Sequence, residues 1–109
     1  MEFKLKEWVA RVTDAVKNQY VVDTKTSKSI TVNTGAVQPA NVSASKTGYT
    51  PIGIVGITKA VVGAGNVNAV VITQYYINGS TASAIFYNAS AADHTMTVTF
   101  YILYRKNYS

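Results

Sequence analysis

Between Ser29 and Ser109 the chain offers one carboxylate, Asp93, and one imidazole, His94, and they are adjacent. General acid–base catalysis needs two ionisable groups held within reach of one substrate. In an extended segment neighbouring side chains point to opposite faces, so this pair converges only if the loop turns sharply. A solvated loop histidine is the plainer role. One His, one Asp and no Cys leave a metal shell incomplete within a single chain, and only three copies of His94 around a symmetry axis would complete one. Gly63-Ala64-Gly65-Asn66-Val67-Asn68 superficially suggests a phosphate cradle, but no Lys-Ser or Lys-Thr follows and no helix pattern begins there. It reads as a hairpin turn. The sole His lacks the context of a nucleophile triad, so the expectation is no enzyme and no cofactor.

Tyrosine supplies the remaining chemistry, because it joins a large apolar area to a hydrogen-bonding tip and suits both sugar stacking and subunit contact. Tyr75, Tyr76 and Tyr87 are the candidate ligand-binding residues. Tyr75 and Tyr76 must face opposite sides of one strand, so at most one belongs in a core.

The elements that carry these residues are mostly strands. Residues 3 to 19 place Leu5, Trp8, Val9, Val12 and Val16 at spacings of three and four between charged residues, which predicts an amphipathic helix over about residues 1–20. Leu5, Trp8, Val12 and Val16 face either the chain's own β-domain or an oligomer axis. The polar stretch after Val21-Val22 reads as a linker, 21–28, ahead of a β-domain over 29–109. Beyond it the period changes to two. Ser29–Asn33 and Ala40–Ala44 read as short strands, and Ile52–Thr58 as a strand whose two glycines mark a bulge or a close approach. Val67–Ile77 and Thr81–Tyr87 flank Asn78-Gly79, the strongest hairpin signal in the chain. Thr95–Tyr104 puts Met96, Val98, Phe100, Ile102 and Tyr104 on one face. Its other face, Thr97, Thr99, Tyr101 and Leu103, begins polar and becomes apolar, so Tyr101 and Leu103 join the candidate oligomer interface. Short strands with regular turn signals predict a mainly β fold: an antiparallel β-sandwich, with a jelly roll among the topologies that fit.

Composition points the same way. Charged residues make up 14% of the chain, against roughly 25% in ordinary domains, which suits a surface partly covered by other subunits. Of the net charge of +5, the first 28 residues contribute +2 and the rest +3, scattered without a basic run interleaved with aromatics. Nucleic acid is therefore not an expected partner. No apolar stretch approaches the length of a membrane span, about 20 residues, and no signal peptide is visible. The four Asn-x-Ser triplets, at Asn41, Asn78, Asn88 and Asn107, read as turn and strand-edge chemistry.

The succession Gly48-Tyr49-Thr50-Pro51-Ile52-Gly53-Ile54-Val55-Gly56, then Val70 to Ile77 with its tyrosine pair, Ala84 to Asn88, and Thr97 to Lys106 resembles the small β-domains of tail, baseplate or fibre proteins from phages and prophages of Gram-positive and gut bacteria. The resemblance covers about residues 28 to 106. It implies a non-enzymatic virion component, made in the host cytoplasm, that forms a homotrimer and contacts other virion proteins or a host cell-surface glycan. There is no shaft between helix and tip, so a compact tip, adaptor or head decoration fits better than a long fibre. A monomeric carbohydrate-binding module is the alternative.

Overall fold

A computed structural model describes residues 19–63 and 65–107. The helix expected over residues 1–20, with Leu5, Trp8, Val12 and Val16, lies outside the described residues except for its last two positions. Tyr20 already belongs to a strand.

Seven strands follow in order: β1 (Tyr20–Thr26), β2 (Ile30–Val32), β3 (Val37–Ser43), β4 (Tyr49–Val61), β5 (Val70–Asn78), β6 (Thr81–Asn88) and β7 (His94–Lys106). They form two antiparallel sheets. In sheet A, β7 is central, with β4 along one side and β1 and β2 end to end along the other. In sheet B, β6 is central between β3 and β5. The expected mainly β, antiparallel two-sheet architecture is therefore present.

The expected linker is a strand. β1 pairs with β7 along its whole length, from Tyr20 opposite Arg105 to Thr26 opposite Thr99. Its polarity misleads because Asp23 and Lys25 lie on the half-buried side of an edge strand, where inward-pointing charge blocks further pairing. The step from β1 to β2 keeps the ladder satisfied through Ser27. Its N–H donates to the Val98 carbonyl (2.8 Å) and its hydroxyl accepts from the Val98 N–H (3.0 Å).

The loop after Gly63 is a second correction. It is not a hairpin turn, because β4 belongs to sheet A and β5 to sheet B, so this segment carries the chain between layers. The β5–β6 hairpin does form, with Asn78 opposite Thr81. Its turn is Gly79-Ser80, and only the glycine takes a positive φ (61°), as a II′ turn requires.

Met96, Val98, Phe100, Ile102 and Tyr104 of β7 are fully buried, and Ala40, Ala82, Ala84 and Phe86 of sheet B lie in the same core. Small side chains on β3 and β6 leave room for the large ones of β7, and a Phe or Ile buried in this way stabilises the fold by about 1.5–3 kcal/mol. The glycines of β4 accompany bulges: Ile52 and Val55 are each the extra residue where the register with β7 shifts. Gly56 lies opposite Tyr101, where a Cβ would meet the ring at 3.4 Å, so the tyrosine covers the glycine's outer face.

Candidate binding surfaces

Asp93 and His94, the acid–base pair, make separate contacts. Asp93 accepts a hydrogen bond from the Thr34 N–H (2.8 Å), tying the β6–β7 loop to the β2–β3 loop. His94 begins β7 opposite Val32, half-buried, with its ring beside Gly65. Among the described residues no three His, Cys, Asp or Glu side chains gather where they could hold a metal ion, and no helix is long and apolar enough to cross a membrane.

The ligand-binding candidates divide. On sheet B the register sets out an outer face three strands wide: Val37, Tyr87 and Val71 form one row, Pro39, Ile85 and Gln74 the next, and Asn41, Ser83 and Tyr76 the third. Tyr76 and Tyr87 therefore share this face. They stand two rows and one strand apart, about 14 Å between backbones from strand geometry, too far to stack on the two sides of one sugar ring. The Ser83 hydroxyl donates to the Asn41 side-chain oxygen (2.6 Å), fixing the polar end of the patch.

Tyr75 belongs elsewhere. It pairs with Ala84 and Ile72 pairs with Phe86, both buried, so Tyr75 and Ile72 lie on the core side of the sheet. Yet Tyr75 is 57% exposed and Ile72 37%. Neither of the paired tyrosines is core, because β5 is an edge strand and its core-side residues border an open mouth toward β4. There Ile54, Val55, Gly56 and Ile57 join Ile72 and Tyr75 around a cleft of about 160 Å³.

The candidate interface residues Tyr101 and Leu103 lie on the outer face of sheet A. Leu103 stands between Val22 and Gly53, and Tyr101 between Thr24 and Gly56. Toward the other end of β7 this face becomes threonine, with Thr26 and Thr99 hydroxyls 3.0 Å apart and Thr31 and Thr95 2.9 Å apart. The expected change from polar to apolar along β7 is present.

No family model matches the chain, and no curated protein or solved structure matches it.

Three further groups, none of them a site candidate from the sequence, hold these surfaces in place. Asn88 is fully buried at the end of β6: its amide donates to the carbonyls of Val32 and Ala92 (2.8 Å each), and its oxygen accepts from the Ser90 N–H (2.9 Å) and hydroxyl (2.7 Å). The Asn88-Ala-Ser90 triplet is the one signal for it, and it marks a turn as expected. Lys59 reaches from β4 to the carbonyls of Val67 (3.1 Å) and Val70, anchoring the inter-sheet loop, and burial lowers its pKa from 10.5. Asp23 pairs with Lys46 at 3.1 Å. The hydrogen bond from Lys46, then the one from the Thr24 N–H, holds the Asp23 carboxyl below its ordinary 3.8. Nothing in the sequence around Lys59 announces its role, since the carbonyls it meets follow eight and eleven residues later.

Proposed function

We propose that this chain is a non-enzymatic structural protein of a phage virion, a tail-tip, baseplate, fibre or head-decoration component made in the cytoplasm of a bacterial host. It works by assembling with copies of itself and with other virion proteins, and it contacts the host surface through that assembly. In this reading the sandwich is jelly-roll-like and the apolar stripe of residues 3–16 serves as an anchor. The observation that carries the assembly part is the spread of exposed apolar side chains: the row Val37, Tyr87 and Val71 on one outer face, Val22 and Tyr101 on the other, and Val55 and Tyr75 at the mouth between the sheets. Single exposed apolar residues are ordinary, whereas contiguous groups mark surfaces that other molecules cover. The virion part is supported by the resemblance of the Gly48–Gly56 stretch and the strands after it. Light scattering at micromolar concentration tests the reading: an oligomer is expected, and a stable monomer overturns it.

A carbohydrate-binding module is the second reading, favoured by Tyr76 and Tyr87 on one face with Gln74 and Asn41. Their separation restricts any ligand to an extended oligosaccharide. On a glycan array, Tyr76→Ala and Tyr87→Ala would each abolish binding while Tyr75→Ala, on the opposite face, would not. Equal loss in all three refutes this platform.

A further inference from the structure

The edge strands are not equally protected. An unpaired edge is a template for another strand, and proteins guard it with charge, proline, bulges or short length. β1 carries Asp23 and Lys25, β3 carries Pro39, β4 carries Pro51, Lys59 and two bulges, and β2 is three residues long. β5 differs. Its nine residues, Val-Val-Ile-Thr-Gln-Tyr-Tyr-Ile-Asn, contain no charge and no proline, its one guarding feature is the register shift between Ile72 and Gln74, and Val71 through Tyr76 are all exposed. Among the described residues, six of the twelve exposed large apolar side chains lie on β4 and β5, the two edges on one side of the sandwich.

We infer that the free edge of β5 pairs antiparallel with β5 of a second copy across a two-fold axis, setting Val71 opposite the second copy's Tyr76 and Ile72 opposite its Tyr75. The inference rests on the assembly reading above and names the contact that would build it. Self-complementarity is what selects a second copy as the occupant. In a two-fold antiparallel pair, opposed residues must lie on the same face of their own strand. In a regular strand Val71 and Tyr76 would face opposite ways, as would Ile72 and Tyr75. The register shift between Ile72 and Gln74 changes this, putting Val71 and Tyr76 both on the outer face and Ile72 and Tyr75 both on the core side. The one irregularity of the strand therefore makes it complementary to itself, and the matched pairs are β-branched with aromatic, a favourable cross-strand combination. An axis perpendicular to the sheets also brings the β4–β5 mouth of one copy against that of the other. Val55, Ile72 and Tyr75 of each copy then cover their equivalents, closing the cleft that one chain leaves open.

The chain contains no cysteine, so an introduced one is its only thiol. In the proposed register the two copies of residue 74 stand about 6 Å apart between Cα atoms, within disulfide reach. Under mild oxidation Gln74→Cys should give a linked dimer in high yield, while Thr31→Cys at the threonine end of sheet A should stay largely unlinked. Sedimentation should show an even-numbered assembly for the natural chain. Tyr75→Lys should halve its mass while keeping the strand signal in circular dichroism, and Thr31→Lys, at the threonine end of sheet A, should leave the mass unchanged. Equal linking of the two cysteine variants, or an assembly whose mass Tyr75→Lys leaves intact, overturns β5 pairing. A three-fold assembly of unaltered mass would do so while leaving the assembly reading standing, whereas a natural chain that sediments as a monomer overturns both.

Discussion

Replacing Asn88 with alanine tests whether one buried amide joins the two layers at this end of the sandwich. Asn88→Ala removes two donated and two accepted hydrogen bonds. The bond to the Val32 carbonyl is buried, and leaving such a group unpaired costs about 1–3 kcal/mol. The bonds to Ala92 and Ser90 lie at a partly exposed rim, where water replaces the lost partner and each costs about 0.5–1 kcal/mol. Together the loss is about 4 kcal/mol, a large share of the roughly 5–15 kcal/mol that holds a domain folded. It corresponds to a fall in Tm of roughly 20 °C for a chain of this size. Urea and thermal unfolding followed by circular dichroism, at one fixed protein concentration, would measure it. Asn88→Asp sharpens the test, because a carboxylate can still accept from Ser90 but faces the Val32 and Ala92 carbonyls without a donor. Its folded-state pKa should be raised, so the variant is most stable below the ordinary Asp value and loses stability as pH rises through the raised one. A cost under about 0.5 kcal/mol for Asn88→Ala, or an Asn88→Asp variant insensitive to acid, would refute this account.

Tyr104 is fully buried, its hydroxyl meets no hydrogen-bond partner among the described residues, and burial first, then the charge of Asp23, raises its pKa from 10.0. Tyr104→Phe is therefore expected to change stability by less than about 1 kcal/mol near neutral pH. The natural chain should lose stability as pH rises from 10.0 toward the raised value, because the unfolded chain ionises first, and the Phe variant should lack that component of the loss in alkaline unfolding curves. For Lys59 the sign is opposite: its folded-state pKa lies below 10.5, so the unfolded chain binds more protons in the interval. Stability should rise with pH there, and Lys59→Met should flatten the slope in the same curves.

The long alternating strands were legible because their faces differ so sharply. The Met96-to-Tyr104 stripe, the Asn78-Gly79 hairpin signal and the bulge-marking glycines of β4 each announce themselves within a few residues. β1 was not legible, since Asp23 and Lys25 make an edge strand look like a linker until its partner, some eighty residues later, is known. The segment around Gly63 is ambiguous in sequence for a related reason: the same turn-forming residues serve a hairpin and a passage between sheets, and only strand pairing distinguishes them. The division of the tyrosines was half legible. Alternation separates Tyr75 from Tyr76, but that Tyr75 overhangs an open mouth depends on where sheet A ends, a property of the assembled layers. That Tyr76 and Tyr87 share a face follows from the shift at Thr73, which has no signature in the residue types around it.

The central place of β7 has a consequence for biosynthesis. β1, β2 and β4 all hydrogen-bond to it and not to one another, so a ribosome delivers three strands before the one that unites them. Sheet B can close as soon as β6 emerges, whereas sheet A must wait for the thirteen residues of β7. Until then the nascent chain carries sticky, unmatched segments. Maturation of this fold is thereby tied to completion of β7, and stalled translation products lacking β7 should be prone to clump or to be degraded.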